Sequence, residues 1–198
     1  MTPVIVGSAT ALADDVFRWD AFLAALLGAL AIQVAANFAN DASDASRGTD
    51  DDRVGPTRVV ASGILSARSV WIATWVSVGV SGLAGVYLIA IAGWVVAAIG
   101  ITSIVAMLGY VGGPIPYGYR GLGEVFVFVF FGLVATVGSR YVHDRTAPAE
   151  AWGLAIAVGL LITAILVANN LRDRETDETA GKRTLAVMMG DEATIVSY

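Results

Sequence analysis

Apolar residues run through this chain in long unbroken blocks, and compact clusters of charge separate the blocks. Residues 69–119 contain no charged side chain, and neither do residues 151–171. A helix needs about 20 apolar residues to cross the hydrocarbon of a bilayer, so the first block has room for two spans and the second for one. The pattern predicts helices over residues 21–40, 69–91, 94–110, 124–141 and 151–171, with a tight turn at Gly93. Residues 1–13 form a shorter apolar helix that begins partly in the interface; no basic segment or cleavage pattern marks them as a signal peptide. Alternation with period two, the mark of a membrane β-barrel, is missing. Gly79, Gly82 and Gly85 fall three apart and are expected to be sites of close helix packing.

If the helices alternate in direction, residues 41–68, 111–123 and 172–192 emerge on one side, and residues 14–20 and 142–150 on the other. Cytoplasmic loops carry an excess of Lys and Arg. The long loops hold Arg47, Arg53, Arg58, Arg68, Arg120, Arg172, Arg174, Lys182 and Arg183, against Arg18, Arg140 and Arg145 on the other side. The long loops are therefore expected in the cytoplasm, with the chain crossing the cell membrane several times. Most of the acids lie on that same side, so the chemistry should be sought there.

Composition narrows the choice further. The chain is 57% apolar and 15% charged, whereas a soluble domain is about 45–50% apolar and about 25% charged. There is no cysteine, which excludes disulfides, thiol catalysis and thiolate metal sites, and the single histidine, His143, leaves little room for a His-ligated metal cluster or a catalytic triad. A net charge of -5 argues against nucleic acid as a partner.

Two clusters carry candidate chemistry. In the first, Asn37, Asn40, Asp41 and Asp44 are three or four residues apart, so they share a face if the helix continues past residue 40. In the second, Asn169, Asp173 and Asp177 are successive i,i+4 neighbours, again one face of one helix. Four crossings separate the two clusters, an even number, so both emerge on the same face of the membrane. Two acidic faces meeting there repel unless a cation lies between them. Oxygen ligands without histidine or cysteine suit magnesium, which completes its octahedron with waters and phosphate oxygens. Arg53, Arg58, Arg120, Lys182 and Arg183 lie on the same loops, and clustered cations beside carboxylates suit a magnesium-bound diphosphate. The segment Gly181-Lys182-Arg183-Thr184 reads as an anion-binding turn but lacks the upstream glycine of a P-loop.

Plainer readings stand beside these. Either cluster alone reads more readily as a solvated helix end, as Asp50, Asp51 and Asp52 do as a solvated loop; two clusters with matching spacing weigh against that reading. Arg47, Arg68 and Arg174 read as ordinary anchors at the membrane surface. Glu124, at the mouth of its helix, is either a charge favoured by the helix dipole or a substrate contact. His143 reads as a solvated residue of the outer loop. Asn40 and Asn169 resist such readings, because polar groups at lipid depth are expensive and usually functional.

Asn40-x-x-x-Asp44 and Asp173-x-x-x-Asp177 resemble the two aspartate-rich motifs of the UbiA superfamily of intramembrane prenyltransferases. The likeness extends through Arg47-Gly-Thr, Arg53-Val-Gly-Pro, the run from Gly112 to Glu124, the run from Phe126 to Gly132, and Asn169 to Val187. Within the superfamily it is greatest to the members that prenylate 1,4-dihydroxy-2-naphthoate in the menaquinone pathway. The resemblance implies an all-α, multi-pass transmembrane bundle around a cavity that opens sideways to lipid. It implies that Asn40, Asp44, Asp173 and Asp177 hold Mg2+ and a polyprenyl diphosphate, and that Arg53, Lys182 and Arg183 bind the diphosphate oxygens. Arg120, Tyr110 and Tyr117 are then expected near the scissile bond, with Asn37, Asp41, Arg58 and Asn169 among the substrate-binding residues. Ala42 stands where the family usually carries an aromatic residue. Such enzymes resemble nine-helix bundles and this chain supplies about six spans, so residues 1–198 are expected to be one prenyltransferase domain, shortened at its C-terminus.

Two other functions are compatible with parts of the pattern. A transporter of anionic solutes would place acids near the middle of its helices, and here the helix centres hold none. A non-catalytic form that only binds a lipid diphosphate would keep the motifs without turnover, and a family member with a different aromatic acceptor would keep both.

Overall fold

The computed structural model describes residues 1–47, 57–112 and 116–198. Every regular element among them is helical: α1 (Thr2–Ala13), α2 (Trp19–Arg47), α3 (Ala67–Ala92), α4 (Trp94–Val111), a single 3-10 turn (Tyr117–Tyr119), α5 (Gly123–Asp144), α6 (Ala149–Arg172), α7 (Arg174–Thr179) and α8 (Leu185–Ser197). Helices α2 to α6 are long and apolar enough to cross a membrane, as the charge-free blocks predict. Helix α1 spans 12 residues, about 18 Å of rise, and is shorter than a bilayer crossing.

Most large apolar side chains on these helices face outward. Leu83, Ile101, Leu160, Leu161 and Ile165 are exposed, while the interior is built largely from alanine, valine and glycine. That inversion of a soluble protein's pattern lets backbones approach closely where lipid offers no hydrophobic drive for association. Trp19, Trp94 and Trp152 stand exposed at the starts of α2, α4 and α6. These starts share one end of the bundle, where amphipathic rings suit an interface.

The closest approaches differ from those the glycine spacing suggests. A Cβ added at Gly79, Gly82 or Gly85 would meet open space, so those glycines line no helix contact among the described residues. The close approach lies between α5 and α6, where a Cβ on Gly132 would overlap the Cα of Gly159, and Gly159 itself packs beneath the Phe128 ring. Helix α5 widens into a π turn over Phe128–Val134 around this crossing. Gly7 likewise seats α1 against the Thr136 carbonyl of α5. Between α2 and α3, Ser81 donates to the Gly28 carbonyl at 3.1 Å.

The end carrying the tryptophans is closed by ion pairs. Arg140, with its side chain 3% exposed, reaches Asp14 at 2.9 Å and Asp144 at 2.5 Å, joining the end of α1 to that of α5. His143 is buried rather than solvated as its loop position suggests: its Nδ1 accepts from the Arg18 N–H at 3.0 Å, and its ring stacks on Phe17. The turn after α1 folds back over α5 and covers the imidazole. Its burial is a tertiary event that local polarity does not reveal.

Candidate functional site

Helix α2 continues through Arg47, which carries the first acidic motif on ordered helix rather than on a loop. The chain leaves α6 at Asp173 (φ -90°, ψ 6°) and re-enters a short helix, α7. The expectation that Asn169, Asp173 and Asp177 share one face of one helix is corrected by this break. Backbone bonds still link them, from Asp173 N to Asn169 O and from Asp177 N to Asp173 O. Their environments diverge, however: Asn169 is exposed, Asp173 half-buried and Asp177 buried.

Past α7, Gly181 adopts φ +73°, a left-handed turn that glycine makes without steric cost. The turn returns Lys182 to the motif, and its N–H donates to the Asp177 carbonyl at 2.7 Å. Lys182, 8% exposed, then sets its ammonium 3.4 Å from Asp177 Oδ1 and 3.9 Å from Asp44 Oδ2. Asp44 and Asp177, 133 positions apart in the chain, thus meet around one cation. Burial pushes the Asp177 carboxyl above its ordinary range; the Lys182 ammonium opposes that shift, and the charges of Asp173 and Asp44 add to it.

Tyr119 organises this group. Its hydroxyl donates to Asp44 Oδ1, and its ring carries the Arg47 guanidinium 4.4 Å and the Lys182 ammonium 5.4 Å from the centroid. Its carbonyl accepts from the Arg183 N–H at 3.1 Å. Arg47 also donates to Ser43 Oγ at 2.5 Å and to the Val111 carbonyl at 2.7 Å, tying α2 to the end of α4. Arg47 is therefore built into the site instead of serving as a plain surface anchor. Beside it lies an aromatic wall. Tyr117 stacks on Phe126 at 3.8 Å and meets Tyr110 edge-on at 5.5 Å, and Phe126 stacks on Phe130 at 5.9 Å. The Tyr117 hydroxyl donates to the Ala106 carbonyl, and burial pushes that phenol up to about 12.

The other expected site residues divide by position. Asp41 takes a structural job: its carboxylate accepts from Val59 N at 3.0 Å and Val60 N at 3.3 Å, pinning the chain before α3 onto α2. Asp173 is gripped by the Arg172 guanidinium at 2.6 and 2.8 Å. Asn37, Arg120 and Arg183 are exposed, and Arg58 is half-buried. Arg174 pairs with Asp191 of α8 at 2.6 Å. Arg53 and residues 50–52 lie outside the described residues.

Three buried oxygens near the site have no hydrogen-bond partner among the described residues: Asn40 Oδ1, Asp177 Oδ2 and Glu124 Oε2. Unmet acceptors in a buried setting cost free energy until a donor or cation arrives. No three acidic or histidine side chains among the described residues converge closely enough to enclose a metal by themselves. Hard oxygens that supply only part of a coordination shell fit magnesium, which keeps several waters and takes the rest of its ligands from substrate phosphates.

Two residues central to this geometry escape the sequence pattern. Nothing in the spacing separates Tyr119 from Tyr117. Asn170, buried, donates to Glu124 Oε1 at 2.8 Å, whereas its neighbour Asn169 faces outward; the cost of polar groups at lipid depth flags both without ranking them.

Comparison with known proteins adds an independent line. The sequence profile described as the UbiA prenyltransferase family matches residues 1–198. The 1,4-dihydroxy-2-naphthoate octaprenyltransferase of Mycobacterium tuberculosis is 44% identical over 199 residues, covering 100% of this chain and 68% of that protein. The protein of the same name from Escherichia coli is 38% identical over 195 residues, covering 95% of this chain and 63% of that one. The UbiA prenyltransferase domain-containing protein 1 of Mus musculus is 30% identical over 203 residues, covering 100% and 60%. The chain thus spans between 60% and 68% of the length of these relatives.

Proposed function

Because the chain belongs to the UbiA prenyltransferase family, we propose that it transfers a polyprenyl group from its diphosphate to 1,4-dihydroxy-2-naphthoate, with loss of diphosphate and carbon dioxide, to give demethylmenaquinone in its reduced, hydroquinone form. The reading rests above all on the meeting of Asp44 and Asp177 around Lys182, with the unmet oxygens of Asn40 and Asp177 beside them. Relatives that match 100% and 95% of the chain are named 1,4-dihydroxy-2-naphthoate octaprenyltransferase, which supports the prenyl donor and the acceptor.

Asn40, Asp44, Asp173 and Asp177 would hold Mg2+, which when bound supplies positive charge to the diphosphate. Lys182, freed from its two carboxylates, turns to the diphosphate oxygens, joined by Arg53, Arg58 and Arg183 from the same loops. These fixed cations stabilise the charge that builds on the departing group as the allylic carbon–oxygen bond breaks. The stacked rings of Tyr117, Phe126 and Phe130 face the developing allylic cation with electron-rich surfaces and exclude water that would trap it. Tyr110 and Arg120 flank the scissile bond, and Asn37 and Asn169 border the diphosphate. The ring carbon bearing the carboxylate attacks the cation. The carboxylate then leaves as carbon dioxide, returning its bonding pair to the ring, so no protein nucleophile is required. The apolar helices hold the polyprenyl tail, with the motif loops on the cytoplasmic side of the cell membrane, in keeping with the excess of basic residues there.

The test is to incubate membranes containing the protein with radiolabelled polyprenyl diphosphate, Mg2+ and a panel of aromatic acids. Label should pass into a lipid product with 1,4-dihydroxy-2-naphthoate, and carboxyl-labelled acceptor should release carbon dioxide in equal amount. Transfer to a different acid would reassign the acceptor, and retention of diphosphate without turnover would sink the catalytic reading.

A further inference from the structure

Glu124 sits in the first turn of α5, 7% exposed, and its two carboxylate oxygens are treated differently. Oε1 accepts from the buried Asn170 amide at 2.8 Å, while Oε2 is buried with no partner among the described residues. A carboxylate that only complements a helix dipole is served best in water; one held inside by a dedicated amide is presenting its other oxygen to something.

The surroundings indicate what that is. Gly123 packs directly on Tyr110, where an added Cβ would lie 3.5 Å from the ring and 3.6 Å from the hydroxyl. Phe126, three positions beyond Gly123, belongs to the aromatic stack with Tyr117. Tyr110 in turn meets Tyr117 edge-on at 5.5 Å, two positions from the Tyr119 that binds Asp44, so the turn carrying Glu124 adjoins the aromatic wall beside the two acidic motifs. Glu124 is not part of their pairing with Lys182. An aromatic wall beside a buried oxygen that needs a donor matches a flat aromatic molecule bearing a hydroxyl.

We propose that Glu124 binds the prenyl acceptor, its Oε2 receiving a hydrogen bond from a ring hydroxyl while the ring lies along the Tyr117–Phe126 wall. This rests on the aromatic-acceptor reading above and names the residue that recognises the acceptor. A hydrogen bond to a carboxylate is stronger than one to a neutral group, and it pushes electron density from the hydroxyl oxygen into the ring. As the ring carbon forms its bond to the prenyl carbon, positive charge spreads to that oxygen, next to Glu124. Loss of carbon dioxide returns an electron pair to the ring, and the hydroxyl keeps its proton throughout.

Glu124→Gln keeps the shape and the contact with Asn170 but offers the hydroxyl an N–H in place of an acceptor. With 1,4-dihydroxy-2-naphthoate the acceptor KM should rise about tenfold or more and kcat should fall, as expected for losing a charge-assisted bond. KM for the polyprenyl diphosphate and half-saturation by Mg2+ should stay within about twofold. An acceptor methylated at the hydroxyl supplies the second measurement. Wild type and Glu124→Asp should discriminate strongly against it, and in Glu124→Gln that discrimination should shrink at least about tenfold. Unchanged acceptor kinetics in Glu124→Gln overturn the inference, as does a loss shared equally with diphosphate and Mg2+. If Glu124→Gln fails to fold, equal use of both acceptors by Glu124→Asp overturns it. A wild-type protein that prenylates no dihydroxynaphthoate overturns the proposed function and this inference together, whereas an active wild type indistinguishable from Glu124→Gln overturns this inference alone.

Discussion

Arg140 and Lys182 are both buried cations between two carboxylates, one at each end of the bundle, yet they are held differently. Arg140 reaches its partners at 2.5 and 2.9 Å, whereas Lys182 stands 3.4 and 3.9 Å from its own. Near the acidic motifs the unmet buried atoms among the described residues include the acceptors Asn40 Oδ1, Asp177 Oδ2 and Glu124 Oε2. Around Arg140 the unmet atoms among the described residues are its own Nε and His143 Nε2, with the buried hydroxyls of Thr136 one turn away and of Ser8 on α1, and His143 accepts through Nδ1, which leaves Nε2 to carry the proton. The guanidinium fork makes short, directed contacts that fix one geometry, while an ammonium on a flexible stem acts as a movable point charge. One cluster clamps α1 to α5; in the mechanism proposed above, the other exchanges its lysine for a different cation and a phosphate.

Substitutions should separate these roles. Asp44→Asn or Asp177→Asn should lower prenyl transfer by about a hundredfold to a thousandfold, the scale of losing a preorganised electrostatic contact; near-normal turnover of radiolabelled diphosphate would erase the distinction between the two ends. Chelation should act on one end only, with EDTA stopping turnover, Mg2+ restoring it, and the thermal midpoint in detergent hardly moving. Lys182→Met should raise KM for the polyprenyl diphosphate, roughly tenfold or more for a lost charge-assisted contact. Arg140→Met should leave that KM unchanged and cost about 2 kcal/mol of stability, less than a fully buried pair because Asp14 and Asp144 are partly exposed.

Gly132→Ala tests the packing between these ends. Its methyl would push against the Gly159 backbone and should cost about 1–3 kcal/mol, read as a lower melting temperature. The smallest effect is expected at Tyr87, which donates to the exposed Asp20. Tyr87→Phe should change neither melting nor turnover measurably, since an exposed contact trades a protein partner for water.

The positions of the spans, the parity of the crossings and the meeting of the two acidic motifs on one face were all legible in the amino-acid order. A block such as residues 151–171 excludes charge whatever surrounds it, and lipid leaves little choice but a helix. Asp44 and Asp177 were legible for the same reason, as acids near or just beyond the ends of such helices. The partners were not. Asp41 and Asp44 are three residues apart on one helix, yet one is spent on the backbone of Val59 and Val60 and the other meets Tyr119 and Lys182. Asn169 and Asn170 are adjacent and identical in kind, and a helical turn of about 100° per residue sends only the second toward Glu124. His143 carries the polarity of a loop but lies beneath Phe17. Local order determines which segments can be helices and where charge must surface, because those depend on each residue's own transfer energy. Which oxygen is satisfied and which is left to seek a ligand depends on segments far apart in the chain, and only their packing decides it.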